Sequence, residues 1–118
     1  KPKYSIDTYD LNDYNRALIE ALDRRILNLS PAVRKEYKKF YIAYKLDTNF
    51  VDIVPQKQKL TITVNLKFSE VKDPNGICRD VTDLGRWGNG DVELHMEKME
   101  DLEQIMQIVE QSYNAQVD

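Results

Sequence analysis

Cysteine and histidine are almost missing from this chain: Cys78 and His95 are the sole residues of their kinds among 118. A single cysteine closes no intramolecular disulfide, and one His with one Cys cannot supply a soft-metal set with the usual ligand spacing. A reducing, cytoplasmic setting is the expectation. Glycine and proline are scarce, at four each, which excludes collagen-like and low-complexity chains. No apolar run approaches the roughly 18 residues of a membrane-spanning helix, so no membrane partner is expected. There is no Asp-x-Asp-x-Asp calcium loop with a closing Glu, no Gly-x-Ser-x-Gly elbow and no Gly-Lys-Ser/Thr phosphate loop. Gly85, Gly88 and Gly90 have no helix start behind them, as a dinucleotide fingerprint requires. These absences give an expectation of no catalytic residue, no metal ligand and no cofactor.

What remains is an ordinary globular composition, 42% hydrophobic and 31% charged, with a mean hydropathy of −0.60. That length and mix suit one domain. Residues 1–10 read as a polar lead and 11–118 as the domain. The opening Lys1-Pro2-Lys3-Tyr4 has no initiator Met and no apolar stretch after it, so no secretory leader is expected. The chain reads as a piece of a longer protein.

The net charge of −3 averages two unlike halves. Residues 1–59 hold 12 basic and 8 acidic groups, whereas 60–118 hold 5 basic and 12 acidic ones. The first half is thus +4 and the second −7. Arg34, Lys35, Lys38, Lys39 and Lys45 form the sharpest basic cluster.

Leu11, Tyr14, Leu18, Leu22, Ile26 and Leu29 recur every three or four residues, which predicts an amphipathic helix. Ser30-Pro31 ends it and is suited to open a short second helix. Alternation over Phe40–Lys45 and the apolar run over Phe50–Val54, split by Asp47-Thr48-Asn49, predict a hairpin. Leu60 to Leu66 has the clearest period of two, with Leu60, Ile62, Val64 and Leu66 inward and Thr61, Thr63, Asn65 outward. Asp73-Pro74-Asn75-Gly76 is turn chemistry, and Ile77 to Thr82 is a short strand or extended connection. Asn89-Gly90 suits a tight turn with both residues at positive φ. Val92, Leu94 and Met96 mark another strand, and Met99 to Tyr113 an amphipathic helix with an acidic outer face. The predicted class is α+β: an antiparallel sheet of about five strands with N-terminal and C-terminal helices packed on one face. The other face then stays open to solvent or a partner.

Two surfaces are candidates for binding. Around the basic cluster, Tyr37, Tyr41 and Tyr44 alternate with the cations, a pattern that suits nucleic acid and equally suits plain sheet packing. The second is Arg79 to Asp91, where Arg79, Arg86 and Trp87 combine stacking with anion binding. Asp80, Asp83 and Asp91 lie ready to pair with those arginines, and the glycines equally suit a structural hairpin with Trp87 against the sheet. Cys78 neighbours Arg79, which would lower a thiol pKa, although a lone cysteine is more often packing. His95, between Leu94 and Met96, points away from the core. The acidic pI near 5.2 is unlike a dedicated nucleic-acid module.

Phe40-Tyr41-Ile42-Ala43-Tyr44-Lys45, Asn49-Phe50-Val51-Asp52-Ile53-Val54-Pro55-Gln56-Lys57, Arg79-Asp80-Val81 and Gly85-Arg86-Trp87-Gly88-Asn89-Gly90-Asp91-Val92-Glu93 resemble the bacterial domain of unknown function 5655, over about Leu11 to Tyr113. The resemblance implies a C-terminal module behind nuclease-like or restriction-related segments. Some members carry the label "predicted transport protein". It transfers no catalytic residue, so Arg79, Trp87 and Asp91 stand as motif positions, with Asn89 among the candidate binding residues. The helix and hairpin over Glu36–Val54 are also similar in layout to small frataxin-like iron chaperones. The expected function is therefore a non-catalytic accessory domain of a larger bacterial protein, contacting nucleic acid through Lys35, Lys38, Lys39, Tyr41, Lys45 and the Arg79–Asp91 loop. The alternatives are a protein-interaction or oligomerisation module and a weak iron-type metal binder. Partners are thus nucleic acid or protein, together with an upstream domain of the same polypeptide.

Overall fold

Leucines and isoleucines at helical spacing wind the first helix, α1 (Asp13–Leu27), which Asn12 opens by accepting a hydrogen bond from the Asn15 amide. The inward edge is Leu18, Ile19, Leu22 and Ile26, all buried. The computed structural model describes residues 3–85 and 89–117. Six strands follow in an antiparallel sheet: β1 (Arg34–Tyr37), β2 (Ile42–Lys45), β3 (Asn49–Pro55), β4 (Leu60–Val64), β5 (Arg79–Asp80) and β6 (Val92–Met96). Their spatial order is β1-β2-β3-β4-β6-β5. The second helix, α2 (Leu102–Val117), closes the chain. The class is α+β as expected, with six strands rather than about five.

The extra strand replaces the short helix expected after Ser30. Ser30 accepts a hydrogen bond from the Ala32 amide, but the chain makes only a turn before β1. Arg34-Lys35-Glu36-Tyr37 has no apolar alternation, so its inward side is filled by groups that find distant partners. Lys35 pairs with Asp23 of α1 at 2.9 Å, and Tyr37 packs against Tyr9, with ring centroids 6.4 Å apart.

Both helices lie on one face and enclose the core. Tyr44, Phe50, Leu60, Ile62, Leu94 and Met96 are fully buried there, and each such side chain contributes about 1.5–3 kcal/mol through burial. Phe50 meets Tyr113 of α2 edge-on, with centroids 5.7 Å apart. Arg25 and Glu103 form an ion pair that bridges the two helices. Ahead of α1, Ile6 and Tyr9 pack partly on this core, and the Tyr9 hydroxyl donates to the Lys38 carbonyl at 2.6 Å. Burial and the neighbouring Tyr37 push that phenol up to about 12.

Asn89-Gly90 does not make the expected two-residue turn. Among the described residues only Gly76 and Gly90 have positive φ, Asn89 keeping φ negative. The chain from β5 to β6 runs over residues 81–91, and Val81 donates to the Asp91 carbonyl at 2.9 Å. Gly90 is required by close approach: a Cβ there would sit 2.1 Å from the Val64 carbonyl oxygen.

Candidate functional site

Strand alternation that buries one side of this sheet sets a polar row across the other. In register from edge to edge run Glu36, Ala43, Asp52, Thr63, Glu93 and Arg79, on β1, β2, β3, β4, β6 and β5. One step toward the turn between β3 and β4 lie Val54, Thr61 and His95. Neither helix covers this face.

A cleft of about 280 Å³ opens on it, lined by Gln56, Lys59, Thr61, Thr63, Arg79, Gly85, Glu93 and His95. Glu93 is its pivot, with a side chain only 13% exposed. One of its oxygens, Oε1, accepts from the Arg79 guanidinium at 3.4 Å and lies 3.0 Å from His95 Nε2. Thr61 donates its hydroxyl hydrogen to Gln56 at 2.6 Å. Thr63, expected outward, does face this side and is buried.

Asp52 is the most unusual group on the row, a carboxylate with no exposed surface. Burial raises its pKa to about 6, against the opposing pull of the Asn89 amide, the Asn49 side chain and the nearby Lys45. Asn89 donates from its backbone at 3.0 Å and Asn49 from its side chain at 2.7 Å. Asp52 thereby fastens the end of the 81–91 connection to the sheet.

The sequence-derived candidates separate into groups. Lys38, Tyr41, Lys45 and Arg79 belong to the uncovered face. Lys38 and Lys45 both pair with Glu36, whose carboxyl is held below the usual range by its hydrogen bond to Lys38 and by Lys45. Lys35 lies on the opposite, helix-covered side. Burial works against its charge, but the bond to Asp23 keeps its pKa above the ordinary lysine value. Lys39 sits in the β1–β2 turn, its Nζ 5.2 Å from the Phe40 ring centre. Asn89 serves the Asp52 anchor. The Asp91 backbone bridges Leu66 and Val81. Arg86 and Trp87 lie outside the described residues.

Cys78 is not activated by Arg79. Burial first, and then the neighbouring Asp73, push its thiol up to about 12, so packing is its role. Asp73 itself collects the amides of Ile77 and Cys78 at 2.9 Å each and closes the 73–76 turn. Among the described residues no three His, Cys, Asp or Glu side chains converge as a metal site. Among them, too, no helix is long and apolar enough to cross a membrane.

The residues that sequence reasoning passed over are Asp52, Lys59 and Glu93. The signal was parity: Asp52 falls between Val51 and Ile53, and Glu93 between Val92 and Leu94, so both had to leave the core face. Which strands stand side by side was not readable, and that adjacency makes the cleft.

The family model for "Domain of unknown function (DUF5655)" matches residues 7–116. The chain belongs to this family. A Haemophilus influenzae relative within reach of this DUF5655 domain, described as "Uncharacterized protein", is 39% identical over 103 residues, covering 87% of this chain. The chain spans 34% of that relative's length. No solved structure matches it.

Proposed function

We propose that this DUF5655 domain is a non-catalytic accessory module that contacts single-stranded nucleic acid with the uncovered face of its sheet, inside a longer nuclease-associated protein. The observation that carries this reading is the gathering of Lys38, Lys45, Lys59 and Arg79, from four different parts of the chain, on the one face that no helix covers. Tyr41 shares that face, beside Lys38. Exposed ion pairs such as those of Glu36 with Lys38 and Lys45 are weak, so a phosphate can replace the carboxylate. The length of the Haemophilus influenzae relative, about three times that of the matched region, supports a setting within a larger polypeptide.

Fluorescence anisotropy with single- and double-stranded oligonucleotides over a salt series tests the reading. Binding is expected to prefer single strands and to weaken with salt, with a logarithmic slope close to one unit per phosphate contacted. Lys45→Glu combined with Arg79→Glu should abolish it. Absence of binding at low salt, or equal binding by that variant, overturns the reading.

One observation favours a second reading as a protein-docking module. Phe40 is 46% exposed and borders a cleft of about 570 Å³ with Tyr4, Tyr9, Lys39 and Pro55. Sedimentation over a concentration series, repeated with Phe40→Ser, reads self-association through it.

A further inference from the structure

The cleft between β4, β6 and the start of the 81–91 connection has a more specific chemistry than a nucleic-acid backbone needs. Three nitrogen-bearing side chains line it: Lys59 ahead of β4, Arg79 on β5 and His95 on β6. Lys59 pairs with no carboxylate among the described residues. Arg79 is 61% exposed and meets its single carboxylate partner at 3.4 Å, which leaves most of its five N–H donors to a ligand. His95 has Nε2 against Glu93, so Nδ1 is its remaining nitrogen. Among the described residues Glu93 is the one carboxylate lining the cleft, and its Oε1 is already shared by Arg79 and His95.

A backbone phosphodiester carries one charge on two free oxygens, whereas a phosphomonoester carries up to two charges on three. Three nitrogen-bearing side chains lining one cleft match the second. The volume, about 280 Å³, lies just below the roughly 300–1,000 Å³ usual for small-molecule pockets, room for one small phosphorylated group rather than a run of bases. We propose that this cleft is a phosphomonoester pocket in which Lys59, Arg79 and His95 hold the phosphate. Thr61 and Gln56 line the part that receives the group bearing it. The phosphate has two chemical sources, the phosphorylated end of a nucleic-acid strand or a free nucleoside monophosphate. The strand-end source rests on the nucleic-acid reading above, and the free nucleotide does not.

Gly85 offers a clean obstruction. It lines the cleft, lacks a positive φ, and a Cβ on it would meet nothing within 4 Å. Gly85→Leu should therefore fold normally and fill the pocket. Anisotropy of one labelled thymidylate oligomer, bearing a 5′ phosphate, a 3′ phosphate or hydroxyls at both ends, reads the first source. Calorimetry with adenosine monophosphate, adenosine and inorganic phosphate reads the second. A phosphorylated end, or the monophosphate over the nucleoside, should bind at least about tenfold more tightly, the worth of one hydrogen bond to a charged group. Gly85→Leu, Arg79→Ala and His95→Ala should each erase that preference. If no strand binds but the monophosphate does, the strand reading fails and the pocket stands. If all three strands bind alike and the monophosphate does not bind, the pocket is overturned and the strand reading stands. A preference that survives Gly85→Leu also overturns it.

Discussion

On β4 the covered side carries Leu60, Ile62 and Val64 and the uncovered side Thr61 and Thr63, and the same division repeats on the strands beside it. On β6 it is Val92, Leu94 and Met96 against Glu93 and His95, and on β3 Val51 and Ile53 against Asp52. The two faces share one backbone and one set of hydrogen bonds. They differ in what the described residues place over them: two helices on one side, and on the other Asn89, bonded to Asp52. Apolar burial under the helices stabilises the fold without needing direction, whereas the uncovered face holds directed, charged groups that contribute little to stability. The difference separates the two tasks, so the exposed residues of the uncovered face, Asp52 apart, can be altered with the fold intact.

That separation can be challenged in descending order of effect. Ile62→Ala, on the covered side, should cost about 2–5 kcal/mol through the lost methylenes and the cavity left behind, read by chemical denaturation. Gly90→Ala should cost about 2–3 kcal/mol, since a side chain at its φ of +95° would also meet the Val64 carbonyl. Gly76→Ala, with φ +63° but open space around it, should cost about 1 kcal/mol. An equal cost at the two glycines would remove the case that Gly90 is a site of close approach.

Asp52 is the one place where the uncovered face bears on stability. Its folded pKa of about 6 exceeds the ordinary aspartate value of 3.8, so the folded state holds the proton more tightly than the unfolded one. Its contribution to stability is fully present below the unfolded pKa and is lost as pH rises through about 6, a swing on the order of 2–3 kcal/mol. Asp52→Asn should abolish that swing. The stability of the parent relative to the variant should thus rise as pH falls from 8 to 4, followed by urea denaturation at each pH. A difference that stays flat with pH contradicts a buried, proton-holding carboxylate. At the small end, Arg79→Ala should change stability by less than about 0.5 kcal/mol, because its contact with Glu93 is long and exposed. A larger loss would mean that the uncovered face is structural.

Much of the fold was legible from residue spacing. The helical periodicity of Leu18, Leu22 and Ile26, and of Ile105, Met106 and Val109, marks buried stripes. Alternation in Leu60–Val64 and Val92–Met96 likewise marks strands with one buried side. The strand β1 was not legible, because its inward residues are Lys35 and Tyr37, and nothing local announces that Asp23 and Tyr9 will receive them. The short strand expected within Ile77 to Thr82 is present as β5, whose place beside β6 only pairing decides. Of the site, Arg79 and the uncovered position of His95 were readable, but their convergence on Glu93 was not, since β5 reaches that row only by pairing at the sheet edge.

The sequence by itself determined the class of the domain, the buried side of each long element, the lack of a His and Cys metal set, and the concentration of positive charge in the first half. These follow from local periodicity and composition, which need no knowledge of neighbours. Tertiary structure decided which charges share a face. It turned Lys35 inward to Asp23, set Lys38 and Lys45 around Glu36, brought Arg79, Glu93 and His95 to one cleft, and buried Asp52 beneath Asn89. Each of these depends on strand order and register, quantities fixed by long-range pairing between segments up to several tens of residues apart.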